Sequence, residues 1–115
     1  MRLRTIGDYQ FVNWSTSDRY GFTHHTTLFK NNYEISSGKA RWCNRTWEAY
    51  TYQTSMMNAV YNLIKIIKDR IKYDYMKNMG YTKLTAKRKE ELEEFYNQDA
   101  EIVEYTKLYD ELNKR

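Results

Sequence analysis

Three side chains in this sequence have the chemistry of transition-metal ligands: His24, His25 and Cys43. A structural zinc site needs four such ligands and a catalytic site needs three. His24 and His25 are neighbours in a segment with strand character, and adjacent residues of a strand point to opposite faces of the sheet. Because both rings cannot easily reach one ion, we expect no metal site and no cofactor, with one histidine packed inward and one on the surface.

Nucleophilic catalysis would require Cys43 or a serine activated by a base that a third group orients. The sequence contains no Gly-x-Ser-x-Gly motif and no phosphate-cradling glycine loop, and it has four glycines in all. Carboxylates are closely spaced only from Glu90 to Glu94, where a helix would present them to solvent. The sequence therefore predicts a protein without catalytic residues that is not an enzyme.

A basic segment precedes an acidic one. Residues 65–89 carry nine basic and two acidic side chains, whereas residues 90–111 carry one basic and nine acidic side chains. Lys65, Lys68 and Lys72 recur at helical spacing and share a face, which is typical of a phosphate-binding surface. The alternative interpretation is that the two segments form ion pairs that hold helices together, each exposed pair contributing only about a few tenths of a kcal/mol.

Aromatic side chains make up 17% of the chain and include twelve tyrosines. In the segment Tyr9–Trp14 they alternate so that Tyr9 and Phe11 share one face of a strand and Trp14 lies on the other. Exposed aromatics on a sheet are typical of single-stranded nucleic-acid binding and of protein–protein hot spots. The alternative is a sheet that is covered on both sides. We expect some tyrosines at the rim of an interface.

The elements that would position these side chains change character along the chain. Residues 1–43 predict an antiparallel sheet, with strands at Arg2–Ile6, Tyr9–Trp14, Phe22–Lys30 and Tyr33–Cys43, the last bent near Gly38. The turn signals are Gly7-Asp8, the polar run Ser15–Arg19 with Gly21, and Asn31-Asn32. The last is the clearest, because asparagine tolerates the positive φ of a two-residue hairpin turn.

Residues 44–80 predict one long helix. Asn44 or Thr46 is a suitable N-cap, and Gly80 suits a left-handed C-terminal position. An apolar stripe at spacings of three and four predicts the face buried against the sheet. Its members are Tyr52, Met56, Val60, Leu63, Ile67 and Ile71, widened by Tyr50, Met57, Tyr61 and Ile64.

Residues 81–115 predict charged C-terminal helices. A second helix begins at Thr82 or Thr85, and a break near Asn97-Gln98 with Asp99 as N-cap would start a third; the alternative is one continuous helix. The predicted fold class is α+β, with an N-terminal antiparallel sheet of three or four strands packed on a long helix and followed by one or two C-terminal helices. We predict a single domain over residues 1–115.

The cellular location follows from apolar segments and cysteine content. No stretch approaches the roughly 20 apolar residues needed to span a bilayer, and no apolar segment follows the basic start as in a signal peptide. Cys43 is the only cysteine, so no intrachain disulfide can form. We therefore expect no membrane partner and a cytoplasmic protein.

Three stretches, Ser17–His24, Ala40–Glu48 and Tyr50–Thr54, together carry a family resemblance. They resemble a group of small accessory proteins of phages and mobile elements in low-GC Gram-positive bacteria, some of which are similar to anti-CRISPR inhibitors of type II effectors. The resemblance covers about half of the chain. It implies a phage origin and the cytoplasm of a bacterial host, and it brings no catalytic residues.

The most specific part of the resemblance, Asn44–Glu48, lies where the sheet meets the long helix. The simplest interpretation is a helix cap with Trp47 packed on the sheet, which leaves Arg45 as the residue there most available to a partner.

The leading hypothesis is a non-enzymatic inhibitor that binds a host defence effector, resembling an anti-CRISPR protein that blocks Cas9 or its guide complex. A nucleic-acid-binding protein that uses the basic face of residues 65–89, and a structural or assembly protein, are the alternatives. The acidic segment is the part that could imitate phosphate charge. The candidate partner-binding residues are Arg41, Arg45, Lys65, Lys68, Lys72, Arg88, Glu90, Glu91 and Glu94.

Overall fold

The computed structural model describes residues 1–42 and 48–114. Four antiparallel strands lie in the order β1-β2-β3-β4, and three helices follow. The strands are β1 Arg2–Ile6, β2 Tyr9–Asp18, β3 Gly21–Lys30 and β4 Tyr33–Trp42; the helices are α1 Glu48–Met79, α2 Ala86–Gln98 and α3 Ala100–Asn113. The predicted α+β class is confirmed. Cys43, Arg45, Trp47 and the two candidate N-caps of α1 lie outside the described residues.

The hairpin turns follow local residue chemistry. Asn31 and Asn32 both have positive φ, 51° and 68°, as the tight turn between β3 and β4 requires and as predicted. The predicted turn at Ser15–Arg19 is wrong, because β2 continues to Asp18 and pairs with β3 along its whole length. Two residues make that turn, and the Tyr20 backbone N–H donates to Asp18 Oδ1 at 2.7 Å.

The predicted bend in β4 lies at a different residue. Leu28 pairs with Ser36 and Phe29 with Glu34, so Ile35 is the extra residue of a β-bulge. Gly38 keeps regular pairing with Thr26 and has another role. A Cβ added at Gly38 would lie 2.3 Å from the backbone nitrogen of Ala59, so its missing side chain lets α1 approach β4 closely.

Helix α1 packs on one face of the sheet, mainly over β3 and β4. This inner face carries the buried side chains of β2 and β3: Tyr9, Phe11, Asn13, His24, Thr26 and Leu28. Hydrogen bonds fix the contact: Thr26 and Ser55 hydroxyls lie 2.7 Å apart, and the Ser36 hydroxyl donates to the Ala59 carbonyl at 2.6 Å. The amides of Asn58 and Asn62 donate to carbonyls of β4 at 2.8 and 3.0 Å, which covers that sheet edge.

The apolar stripe of α1 is only partly as predicted. Met56, Val60 and Ile67 are buried, whereas Tyr52, Leu63 and Ile71 are half-buried. Tyr61 was expected to widen the stripe, but 55% of its surface is exposed. The side chain of Tyr50 is outside the described part of the chain.

The C-terminus of α1 has the predicted left-handed residue. Gly80 has φ 68°, and the N–H of Tyr81 donates to the Met76 carbonyl at 2.9 Å while that of Gly80 donates to Lys77 at 3.3 Å. This is a Schellman motif, which satisfies the last carbonyls of the helix.

Residues 86–113 form two helices, so the alternative of one continuous helix is wrong. The Thr85 hydroxyl caps α2 by accepting the Arg88 N–H at 3.3 Å, and the Asp99 carboxylate caps α3 by accepting the Ile102 N–H at 3.0 Å. The buried residues of the sheet and of all three helices belong to one hydrophobic cluster. Among the described residues, no helix combines the length and the apolar composition needed to cross a bilayer.

Candidate binding surface on the sheet

The side chains of alternate strand residues point away from the helices and form what we call the outer face. Pairing places them in rows across the sheet: Leu3, Val12, Thr27 and Ser37; Thr5, Gln10, Phe29 and Glu34; Trp14, His25 and Lys39; Thr16, Thr23 and Arg41. The helix–sheet contacts described above come from the inner face and from backbone carbonyls at the β4 edge. None of the described helices packs on the outer face, which argues against the alternative of a sheet covered on both sides.

Trp14 and His25 form the aromatic centre of the outer face. Their rings stack with centroids 5.2 Å apart and planes 11° from parallel. The Thr16 hydroxyl is hydrogen-bonded to His25 Nε2 at 2.9 Å, which holds the imidazole in place beneath the indole. Trp14 keeps 37% of its surface exposed. A fixed, partly exposed tryptophan loses little conformational entropy on binding, which is the property of an interface anchor.

Apolar side chains continue from Trp14 over β1 to β3. Leu3 is 66% exposed, and Val12 and Phe29 are half-buried. Three of the strands have ten residues and are roughly 34 Å long, whereas β1 has five, so with inter-strand spacings of roughly 4.8 Å the outer face covers roughly 400 Å². That area is about half of one partner's share of a standard protein interface.

The end of the outer face near the β2–β3 turn carries an ion pair. Arg41 donates to both carboxylate oxygens of Asp18, at 2.8 and 3.1 Å. The Arg41 guanidinium, with help from the Tyr20 backbone N–H, holds the pKa of the Asp18 carboxyl below its usual value. Tyr20 projects from the adjacent turn with 72% of its surface exposed. Arg41, a predicted partner-binding residue, is therefore part of this surface.

The predicted basic residues do not converge on one site. Lys65 and Lys72 are exposed on α1, whereas the ammonium of Lys68 lies 5.3 Å from the ring centroid of Tyr96 in α2. The Arg88 guanidinium stacks 3.5 Å from the centroid of Tyr81 and donates to the Lys83 carbonyl at 2.9 Å. Lys68 therefore contacts α2, and Arg88 contacts the connection between α1 and α2, so these two side chains do not extend a continuous basic face with Lys65 and Lys72.

The predicted ion pairing between the basic and acidic segments is not found in the part of the chain that the structure describes. The three ion pairs there are Lys30–Glu104, Arg41–Asp18 and Lys114–Glu111. Exposed pairs contribute too little to dictate helix packing. Apolar and aromatic contacts position these helices instead, such as Tyr75 against Phe95 with centroids 5.8 Å apart.

The three predicted acidic residues lie on α2 with different surroundings. Glu90 is exposed. Glu91 accepts the Tyr75 hydroxyl at 2.7 Å, which raises the pKa of that phenol to about 12. Glu91 and Glu94 line a groove between α1 and α2 that has Ile71, Met79 and Phe95 as its apolar wall.

The structure separates the predicted site residues into three regions: Arg41 on the outer face, the lysines on α1, and the Arg88–Glu94 group on α2. Arg45 lies outside the described residues. Sequence reasoning missed Leu3, Val12 and Phe29 as surface residues. The feature that could have identified them is the alternation of side chains between the two faces of the sheet in β2 and β3. This alternation already placed Trp14 on the face opposite to that of Tyr9 and Phe11.

The two histidines point to opposite faces, as predicted for neighbours on a strand. His24 is fully buried and stacks on Tyr52 with centroids 3.6 Å apart, and His25 lies on the outer face. Over residues 1–42 and 48–114, no cluster of three or more histidine, cysteine or acidic side chains is placed to hold a metal ion.

Comparison with known proteins gives no relative: no family model, no curated protein and no solved structure matches this chain.

Proposed function

We propose that this chain is a non-enzymatic binding protein that engages a protein partner through the outer face of its sheet. The observation that carries the proposal is the open aromatic surface centred on the Trp14–His25 stack. A sheet face that no described helix covers loses the hydrophobic stabilisation its apolar side chains could contribute. Binding a partner would remove Leu3, Trp14 and Phe29 from water.

The charge of the outer face supports a protein partner over a nucleic acid. Its charged side chains are two cations, Lys39 and Arg41, and two anions, Asp18 and Glu34, and Arg41 is already paired with Asp18. Nucleic-acid binding gains most of its affinity from cations that neutralise phosphates. A face with no excess of positive charge has no such source of affinity, whereas apolar and aromatic side chains with a polar rim are typical of protein interfaces.

The identity of the partner rests on the family resemblance. The first two of its three stretches, which include Asp18, Tyr20 and Arg41, meet at one corner of the sheet beside the outer face. We propose that the partner is a host defence effector of the Cas9 type, which the protein blocks by occupying a surface needed for guide or DNA. This assignment fits a cytoplasmic phage protein in a bacterial host.

The first experiment is a pull-down of the tagged chain from lysate that contains a type II effector, with and without guide RNA, washed at moderate salt and treated with nuclease. Recovery of the effector after nuclease treatment would support the inhibitor and lead to a DNA-cleavage assay. Recovery of nucleic acid alone, lost on treatment, would contradict it.

Matched variants test the surface itself. Trp14→Ala removes the aromatic centre, and a hot-spot residue costs about 2 kcal/mol or more, so we expect binding to fall about 30-fold. Leu3→Asp places a charge in the same apolar area and should have a similar effect. Tyr61→Ala is the control, because Tyr61 is a similarly exposed aromatic on α1, remote from the sheet's outer face. Equal loss in Tyr61→Ala would show that the outer face is not the interface.

A nucleic-acid-binding protein is the second candidate, and the unpaired charge of α1 favours it. No described ion pair neutralises Lys65 or Lys72, and both are exposed. If this face binds nucleic acid, affinity for a single-stranded oligonucleotide should fall steeply with salt, and Lys65→Glu with Lys72→Glu should abolish it. Trp14→Ala should leave that binding unchanged, which separates the two candidates.

A structural or assembly protein would use the same aromatic surface against a second copy. Light scattering at several concentrations tests this alternative. A mass that rises with concentration in the native chain, and falls to that of a monomer in Trp14→Ala, would favour assembly over inhibition of an effector.

A further inference from the structure

Two arginines on the edge strand β1 point to the inner side of the sheet. Arg2 pairs with Asn13 and Arg4 with Phe11, both of which face the helices. Because α1 lies mainly over β3 and β4, it leaves the space below β1 open. A cavity of about 490 Å³ occupies that space, lined by the two arginines with Leu3, Asn13, Tyr52, Gln53 and Met56. Its volume is within the usual range for small-molecule sites, about 300–1,000 Å³.

The guanidinium of Arg2 is held in position by a stack of three side chains. It lies 4.6 Å from the centroid of the Tyr52 ring, and that ring stacks on His24, whose own surface is fully buried. The cation–π contact fixes a side chain that would otherwise sample many rotamers. Arg2 is therefore preorganised to present its N–H groups to the cavity, so less entropy is lost when a ligand binds.

The cavity has positive charge that no described residue balances. No carboxylate lines it, and no ion pair in the described part of the chain includes Arg2 or Arg4. Residues two apart on one strand face are roughly 7 Å apart at Cα, so both guanidinium forks can reach one small group. Each fork can donate two parallel N–H bonds to an oxyanion.

We infer that this cavity binds a phosphate group in its dianionic form. A carboxylate offers one charge and two oxygens, whereas a phosphate monoester offers up to two charges and three acceptor oxygens, which match two forks. Arg2 and Arg4 point to the opposite side of the sheet from the outer face, although Leu3 at the β1 edge belongs to both surfaces. Trp14→Ala changes the partner surface at a residue that does not line the cavity, so its effects on partner binding and on phosphate binding separate the two proposals.

Calorimetric titration of the full chain with inorganic phosphate at pH 7.5, at constant ionic strength in sodium chloride, tests this site. We expect saturable binding that Arg2→Gln and Arg4→Gln each weaken about tenfold or more, because each removes a charged hydrogen-bond donor. Arg2→Lys keeps the charge but loses the planar fork, so it should bind more weakly than the native chain and more tightly than Arg2→Gln. Arg70→Gln on α1 is the control, since it removes one exposed arginine elsewhere.

Two further measurements identify the protonation state of the bound phosphate and its source. Lowering the pH to 5 converts inorganic phosphate to its monoanion and should weaken phosphate binding, while sulfate stays a dianion and its binding should be unchanged. AMP is compared with adenosine and inorganic phosphate: tighter binding of AMP assigns a nucleotide, and equal affinity for AMP and phosphate assigns the free ion.

Three results would overturn the site. They are the absence of saturable binding at 10 mM phosphate; unchanged binding in both glutamine variants when they keep the native fold; and an equal loss in Arg70→Gln, which would assign the effect to net charge. Circular dichroism of each variant shows whether the fold is retained.

Discussion

Substitution of Gly38 by alanine tests the packing on which the fold depends. The added Cβ would lie 2.3 Å from Ala59 N, 2.7 Å from Asn58 C and 2.7 Å from Ser55 O, all of them backbone atoms of α1. An ordinary contact of this kind is roughly 3.5 Å, so helix and strand must separate by roughly 1 Å. No side-chain rotation can relieve the clash, because every atom that meets the Cβ belongs to the main chain.

That separation acts on the hydrogen bonds around it. Three hydrogen bonds would lengthen. They are the bond from the Ser36 hydroxyl to the Ala59 carbonyl, at 2.6 Å, and the bonds from the amides of Asn58 and Asn62 to β4 carbonyls, at 2.8 and 3.0 Å. Overpacking alone costs about 1–3 kcal/mol, and we expect the upper end, about 3 kcal/mol. For a chain of this size that is a fall in Tm of about 12 °C.

Urea denaturation followed by circular dichroism measures the free energy of unfolding. Lys39→Ala is the matched control, since it changes the neighbouring residue of the same strand on the exposed outer face and should alter stability by less than about 0.5 kcal/mol. A Gly38→Ala protein as stable as the Lys39→Ala protein would refute the argument that α1 and β4 meet at backbone contact.

Three other substitutions have defined expectations. Asp99→Ala removes the carboxylate that accepts the Ile102 N–H and should cost about 1 kcal/mol in denaturation, with faster amide exchange in the first turn of α3; unchanged exchange would contradict the cap. Leu112→Ala empties a fully buried position and should cost about 3 kcal/mol by the same measurement, whereas less than about 1 kcal/mol would contradict its burial. Burial and the hydrogen bond to Glu104 raise the pKa of Tyr9 to about 12 from the usual 10, so the folded state holds a proton that the unfolded state loses. The free energy of unfolding that this raised pKa contributes is fully present below pH 10 and is lost between pH 10 and 12. Denaturation across that range should therefore show a smaller loss of stability in Tyr9→Phe than in the native chain. An equal loss in both proteins would contradict the raised pKa of Tyr9.

Local signals predicted those parts of the fold that neighbouring residues control. Asn31-Asn32 specified its turn because asparagine adopts positive φ at low cost, and Gly80 ended α1 for the same reason. Asp99 separated α2 from α3 because its side chain satisfies a backbone N–H that a continuous helix would have bonded internally. The prediction of a turn at Ser15–Arg19 was wrong, because polar residues are compatible with a strand when the neighbouring strand supplies the backbone hydrogen bonds.

The candidate surface required more than local signals. The alternation of Tyr9, Phe11 and Trp14 determined that Trp14 faces away from the first two, but it did not determine that this side is open. That depends on where the helices pack, and Gly38 and Ala59 bring α1 to the inner face at β4. The charge pattern of residues 65–111 was misleading, because exposed ion pairs contribute too little free energy to direct packing.

The sequence by itself determined the order and type of the elements, the two-sided pattern of the strands and the helix ends, since these depend on backbone conformation and side-chain period within a few residues. Only the tertiary structure decided which face of the sheet is open, that Arg2 stacks on Tyr52, and that Lys68 and Arg88 lie on aromatic rings. These contacts join residues far apart in the chain, and their energies depend on burial and distance that no local pattern contains.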